Sequence, residues 1–418
     1  MRLILLIISV VSFTVGNTNA QQDIKLRLDL EKAYGGSISD YFDHIEYIPL
    51  ETTKESLFGQ TSTLLVADTS FVIWDEDTRA ILFFSKQGKY IKKINVPQNI
   101  YPSLYTENRG TIIVILYSDY QKNKVQKIYY SSSGDETMKE KSLLLPFNEF
   151  KYFLPLEGDY VIKPNSCYFN IGEKPNEQDI FLLNVFKKDE LVKSFIPYNQ
   201  KKNMASCTLG LGKLSITRNT DFGSSSFFVT TPLDYNVYVV NKDTAIKAWQ
   251  FVFRQNEYVD KEILTSLDHR YIDSLRKTRW FKDITILGVN NIFKFSDKLL
   301  FKIERVMYYS SESSEANKQN NFIYKFKTGK LTSYERMTPD TSCYYLPLFD
   351  KAENFHKLGF SKEKDFFYTS ISSLKMFAAR NATKHRNPQY PPALQQYFKT
   401  QNRKSNPVIV RMKLKEGD

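Results

Sequence analysis

The sequence predicts an all-β fold, a six-bladed β-propeller whose last blade is closed by the N-terminal strand, with short helical insertions. Three observations carry this. One local pattern, an apolar strand, a short polar turn and a second strand, recurs five times along the chain. A strand-like run early in the chain, "HIEYIPLETT" (44–53), has no hairpin partner close behind it. The last strand, "NPVIVRMKLK" (406–415), has no chain left to supply its own neighbour.

Taken in order, residues 1–20, "MRLILLIISVVSFTVGNTNA", hold one basic residue (Arg2), an apolar run from Leu3 to about Val15, and small or polar groups at Thr18, Asn19 and Ala20. That is the layout of a secretory signal, and cleavage would expose Gln21. The run falls short of the roughly 20 apolar residues a spanning helix needs, and no later segment approaches that length. The expected product is an exported protein of the periplasm or cell surface, with no membrane span and, since no cysteine follows Ala20, no lipid anchor indicated. Residues 21–418 are expected to form the propeller.

The five hairpins start at Ala80 ("AILFFSKQGKYIKKINV"), Lys127 ("KIYYSSSGDETMKEKSLLL"), Ile180 ("IFLLNVFKKDELVKSFIPY"), Asn236 ("NVYVVNKDTAIKAWQFVF") and Phe322 ("FIYKFKTGKLTSYERM"). Gly88, Gly134 and Gly329 sit where a tight turn favours positive φ, and Asp189 and Asp243 can brace such turns through their side chains. Further strand-like runs precede each hairpin, as in "STLLVADTSFVIWD" and "GTIIVILYSD", giving four strands per unit. The starts lie about 47, 53, 56 and 86 residues apart, a spacing that fits four-stranded blades with insertions. The longest interval holds a run (259–281) with Ile263, Leu267, Tyr271 and Leu275 at helical spacing, which predicts an amphipathic helix packed on the core. A second insertion, from Ile371 to about Lys404, reads as partly helical and interrupted by Pro388, Pro391 and Pro392. If HIEYIPLETT supplies the outer strand beside NPVIVRMKLK, five whole hairpins and one split hairpin make six blades, and closing the ring removes an open sheet edge. Pro49 is acceptable on an outermost strand, which uses one side of its ladder.

On "YIPLETTKESLFG" (47–59), "ILFFSKQGKYIKKI" and "NPVIVRMKLK", nearly the whole mature chain resembles the exported six-bladed β-propeller proteins of Gram-negative bacteria, distantly similar to NHL-type propellers. The resemblance implies the fold and a binding or scaffold role without a shared catalytic set. Where that family carries a Gly-Pro-Gly-Glu-Tyr loop after its first blade, "VPQNIYPS" here keeps Tyr101.

Composition narrows the partners. Lys and Arg number 58 against 46 Asp and Glu, a net charge of +12, which becomes +11 once Arg2 leaves with the signal. A basic balance favours anionic partners, but the charges read as scattered pairs (Lys187 and Lys188, Lys201 and Lys202, Arg403 and Lys404), which is the pattern of a solvated surface. Nucleic acid is not an expected partner of an exported chain. Cys167, Cys207 and Cys343 lie at unrelated spacings and are expected to be separate buried thiols without a disulfide. The four histidines have no Cys or His companion at ligand spacing, so no metal or other cofactor is indicated.

No phosphate-binding loop, nucleophile elbow or metalloprotease helix is present in the sequence. Asp75 and Asp77 in "WDED" read as turn acids, because a calcium site needs about six oxygens. Two function classes remain: a binding or scaffold propeller recognising a glycan, peptide or partner protein at the channel mouth, working as a monomer, or a hydrolase or lyase whose polar groups converge on the channel from several blades. The loop "VPQNIYPSLYTENRG" (96–110) is expected to join the outer strand of one blade to the next at that mouth. Tyr101, Tyr105 and Arg109 are accordingly the expected ligand contacts, two amphipathic rings and a cation able to grip a carboxylate.

Overall fold

A computed structural model of the chain describes residues 24–59, 61–107, 111–119, 121–122, 124–140, 143–144, 154–156, 160–164, 181–187, 190–197, 214–218, 226–231, 233–259, 270–271, 274, 285–305, 321–349, 359–361 and 366–416. The signal segment, Cys167, Cys207 and most of the expected helix at 259–281 lie outside them. Within that helix Arg270, Tyr271 and Ser274 are helical.

Six small antiparallel sheets form a six-bladed β-propeller. Blade 1 runs outward through Thr63–Val66, Ser70–Asp75, Ala80–Ser85 and Tyr90–Asn95. Blade 2 uses Ile100–Glu107, Ile112–Asp119, Lys124–Tyr130 and Glu136–Lys139. Blade 3 uses Leu154–Pro155, Tyr160–Pro164, Phe181–Lys187 and Glu190–Pro197. Blade 4 is built from Ser215–Arg218, Phe227–Thr230, Asn236–Val240 and Ala245–Val252, and blade 5 from Ile286–Phe295, Lys298–Arg305, Asn321–Lys325 and Leu331–Thr338. All five expected hairpins are the third and outer strands of their blades. Gly88, Gly134 and Gly329 have φ of 79°, 78° and 67°.

Blade 6 is split as the sequence predicts. Gly359–Ser361, Phe366–Ile371 and Val408–Leu414 come from the C-terminal end, and the outer strand is Phe42–Pro49, in register from Val408 opposite Pro49 to Leu414 opposite Phe42. Between the second and third strands stand α1 (Ser373–Thr383) and α2 (Pro392–Thr400). Ser372 caps α1 by accepting from Lys375 N, and Pro392 begins α2, where a missing N–H costs nothing. Met376, Phe377, Leu394, Tyr397 and Phe398 turn inward onto blade 6.

The core is distributed over the seams between blades because each buried strand shows alternate residues to its two neighbours. In blade 1, Phe71 and Ile73 pack with Ile409 and Tyr368 of blade 6, while Val72 and Trp74 pack with Ile113 and Ile115 of blade 2.

One arrangement has no counterpart in the expectations. Before reaching blade 6, the N-terminal segment lays Lys25–Arg27 parallel to the outer strand of blade 4 and Tyr34–Ser37 parallel to the outer strand of blade 5. This strap is fastened by ion pairs and buried leucines. Arg254 Nη2 donates to Asp29 Oδ2 at 2.7 Å, Arg336 Nη1 donates to the Ala33 carbonyl at 2.5 Å, and Leu26, Leu28 and Leu30 are buried.

Asn406, fully buried, knots the closure. Its Nδ2 donates to the carbonyls of Glu51 (2.8 Å) and Ser56 (2.9 Å), and its Oδ1 accepts from Phe58 N at 3.2 Å. Replacement by alanine leaves three buried backbone groups without their partner, so Asn406→Ala is expected to lose about 2–3 kcal/mol. A lower urea midpoint at unchanged m-value is the expected readout, and an unshifted midpoint would show that these bonds are replaced by water at no cost.

Cys343 is buried, is in no disulfide, and its thiol is pushed up to about 11 by burial. It behaves as a packing residue in the core beside Leu346 and Tyr47.

Candidate ligand-binding site

Where the ring closes, the face of blade 6 turned toward blade 1 carries unlike chemistry from its other face. Val408, Val410 and Met412 point into the apolar seam with blade 5, so the intervening Arg411 points toward blade 1. Register places Tyr368 and Glu46 on either side of it across the strands. The Arg411 guanidinium lies 3.9 Å over the Phe366 ring, and its Nη1 donates to Glu46 Oε2 at 3.1 Å. His44 stands edge-on to Phe366 at 5.4 Å, with Nε2 3.8 Å from the same Glu46 oxygen.

Blade 1 supplies the opposite wall from its turns at 67–69 and 86–89. Lys86 N donates to the Thr69 carbonyl at 3.2 Å, which ties the two turns together. The Lys86 ammonium then sits 4.7 Å from the Phe71 ring centre and 5.3 Å from that of Tyr368, bridging the two blades through cation–π contacts. Between these walls lies a cleft of about 430 Å³, lined also by Asp68, Gln87 and Ala393. Arg411 Nε is buried and has no hydrogen-bond acceptor among the described residues. A cleft with two cations held beside aromatic faces has the chemistry to receive a carboxylate.

The expected contact residues are placed elsewhere. The stretch 96–110 is not a single loop as anticipated: Ile100–Glu107 is the innermost strand of blade 2, and the connection from blade 1 shortens to 96–99. The alternation of Ile100, Pro102 and Leu104 with Tyr101, Ser103 and Tyr105 is a strand pattern. Tyr101 is half-buried. Its hydroxyl donates to Glu76 Oε1 at 2.9 Å, and its ring and that of Trp74 flank the Arg79 guanidinium at 5.5 and 5.1 Å. Tyr105 is 5% exposed, packed with Val114, Leu116 and Tyr129, and Lys127 lies 5.9 Å from its ring; burial raises its hydroxyl pKa. Arg109 lies outside the described residues. Register puts the 96–99 connection at the opposite end of blade 1 from the cleft, since Ala80 pairs with Asp75 and Asn95 there while Ser70 pairs with Ser85 at the cleft end.

Asp75 of WDED is a turn acid, accepting from Gly59 N, Asp77 N and the Thr78 hydroxyl. His385 is exposed in the second insertion. Among the described residues no cluster of three metal-ligating side chains occurs.

The cleft escaped sequence reasoning because its members come from positions 46, 86, 366, 368 and 411, which only ring closure brings together. A signal for part of it was nevertheless present. Asp365 and Glu416 bracket fifty residues with ten Lys or Arg and neither Asp nor Glu, so this stretch carries +10 of the chain's +12. The excess of basic over acidic residues is therefore concentrated in 366–415, which adds to the reading of scattered pairs a segment where the pairs meet no acid.

Comparison with known proteins agrees with the architecture. A family model described as a domain of unknown function (DUF4934) matches residues 22–413. No curated protein matches the chain. A candidate exported protein of Bacteroides fragilis has the same fold, with a TM-score of 0.60 at 14% identity, covering 94% of this chain and 100% of its own. A member of the DUF4221 family from Bacteroides vulgatus aligns at a TM-score of 0.43 and 9% identity over 89% of this chain and 98% of its own. Among the described residues no helix is long and apolar enough to cross a membrane.

Proposed function

The chain belongs to the DUF4934 family, and on that premise we propose that it is an exported binding propeller, acting in the periplasm or at the cell surface, that seats a carboxylate-bearing ligand in the cleft between blades 6 and 1. The observation that carries this reading is the pairing of Lys86 over Phe71 and Tyr368 with Arg411 over Phe366 across one cleft. Each cation is already oriented by an aromatic face, so little side-chain entropy is lost when an anion arrives. Glu46 holds Arg411 in position from one side.

The reading is tested by calorimetry with trigalacturonate, a short oligosaccharide carrying one carboxylate per sugar. Lys86→Ala and Arg411→Leu are each expected to weaken binding at least tenfold, about 1.4 kcal/mol, the scale of one charge-assisted hydrogen bond. Melting curves establish that both variants remain folded. Equal affinity in wild type and variants overturns the proposal, and cleavage of the bound oligosaccharide would place the protein with hydrolases or lyases instead.

A further inference from the structure

The acid-free stretch between Asp365 and Glu416 is distributed unevenly in space. Part of it forms the second and third strands of blade 6, and the rest is the α1–α2 insertion. Lys375, Lys384, Arg386, Lys399, Arg403 and Lys404 of that insertion are all exposed. Six exposed cations without an acidic residue in their own segment leave a local excess of positive charge, whereas a surface serving solubility alone would intersperse carboxylates.

This surface is also ordered. Arg386 lies 4.8 Å over the Tyr345 ring, Ser373 Oγ donates to the Asn406 carbonyl at 2.6 Å, and Tyr397 OH donates to Ser373 Oγ at 2.7 Å. The cations are thus displayed on a fixed frame. Ala393 of α2 and Arg411 of the third strand both line the cleft, so the insertion borders it.

We propose that the helical insertion of blade 6 is a docking surface for a polyanionic polysaccharide, one carboxylated sugar of which enters the adjoining cleft. The choice of a carboxylated sugar chain rests on the cleft reading given above; the anionic character of the partner does not. A lipid surface fits less well. Amphipathic helices that lie on membranes turn their apolar face outward, whereas Met376, Phe377, Leu394, Tyr397 and Phe398 face the propeller and Leu374 is the exposed large apolar residue among the described positions of the insertion. Single-stranded nucleic acid fits less well too, because its binding uses exposed stacking rings and none of the exposed large apolar residues on this surface is aromatic.

The test uses residues 21–418, with polygalacturonate, trigalacturonate, neutral dextran, phosphatidylglycerol vesicles and a DNA oligonucleotide as probes. The variant Lys384→Glu, Lys399→Glu, Arg403→Glu, Lys404→Glu changes exposed positions and is expected to melt as the wild type does. It should bind polygalacturonate at least tenfold more weakly and with a flatter dependence on salt, because the screened surface attraction is gone, while its affinity for trigalacturonate is kept. Lys86→Ala should show the converse, losing the trisaccharide and keeping the salt-dependent part of polymer binding. Polymer binding that survives the fourfold variant overturns the inference, as does failure of the wild type to bind polygalacturonate or a preference for vesicles or DNA at equal charge. If the trisaccharide fails to bind but the polymer binds through the insertion, the cleft reading falls and the docking surface stands. If the trisaccharide binds through Lys86 and the polymer no more tightly, the outcome is reversed.

Discussion

A chain lacking residues 21–53 is expected to show no cooperative unfolding transition. The deletion removes the outer strand of blade 6, which pairs with Val408–Leu414 along its length, and both strap strands. Leu26, Leu28, Leu30, Ala33, Ile38, Phe42, Tyr47, Ile48 and Leu50 leave the core with them. At about 1.5–3 kcal/mol for each large apolar side chain fully buried, their loss is worth roughly 10–20 kcal/mol. That equals or exceeds the roughly 5–15 kcal/mol by which a folded chain is stable at all. Deleting only 21–37 spares the closure strand and gives up four of these residues, so it should yield a folded protein with a lower thermal midpoint. Circular dichroism melts of the two truncations decide the matter, and a sharp, unshifted transition in the longer deletion would refute the account of ring closure.

Gly88→Ala should be the most damaging single methyl in the described structure, costing about 4 kcal/mol or more. Gly88 adopts φ +79°, where any side chain is strained by about 1–2 kcal/mol. The larger part is steric. A Cβ there would stand 2.2 Å from the Pro49 carbonyl oxygen and 3.3 Å from Ile48 Cγ2, so the turn of blade 1 and the closing strand of blade 6 could not keep their contact. The hydrogen bond from Glu51 N to the Gly88 carbonyl at 2.8 Å would be broken by the same displacement. Gly329→Ala supplies the control: its φ of +67° is similar, but the nearest atom to an added Cβ is Tyr324 OH at 3.8 Å, so only the conformational cost of about 1–2 kcal/mol is due. Chemical denaturation of both variants separates the two contributions. Equal losses would mean that the seam yields freely at Gly88.

The reach of the sequence is set by how local each feature is. The hairpins are written in short-range alternation and turn residues, as in Ala80–Ser85, Gly88 and Tyr90–Asn95, and so could be read directly. The split blade was legible through two unpaired strands at opposite ends of the chain. The strap was not, because Lys25–Arg27 and Tyr34–Ser37 are three and four residues long and the second contains two glycines. Nothing in such short runs distinguishes a parallel edge strand from coil. Tyr101 and Tyr105 show a related limit: aromatic character marked them, but their partners Arg79, Glu76 and Lys127 are set by packing between strands and across the blade 1–2 connection. The Lys86–Arg411 cleft depends on contacts across the whole chain, and its one local trace is the acid-free stretch between Asp365 and Glu416.

The strap also governs the order in which the molecule can be made. It and the closing strand that follows join residues far apart in the chain, 225 positions at Asp29 and Arg254 in the strap and 365 at Glu46 and Arg411 in blade 6. A chain delivered N-terminus first presents residues 25–49 long before any strand exists to receive them. Blades 1 to 3, whose pairings are local, can form as the chain emerges, while the earliest segment waits until blade 4, then blade 5, then the last strand of blade 6 arrives. Contacts of such long sequence separation make folding slow, because the entropy of closing the loop must be overcome before they return anything. During that interval Phe42 and Tyr47 on one face of the closing strand and Ile48 on the other stand uncovered, and the step that ends the exposure is the zipping of the first segment onto the last.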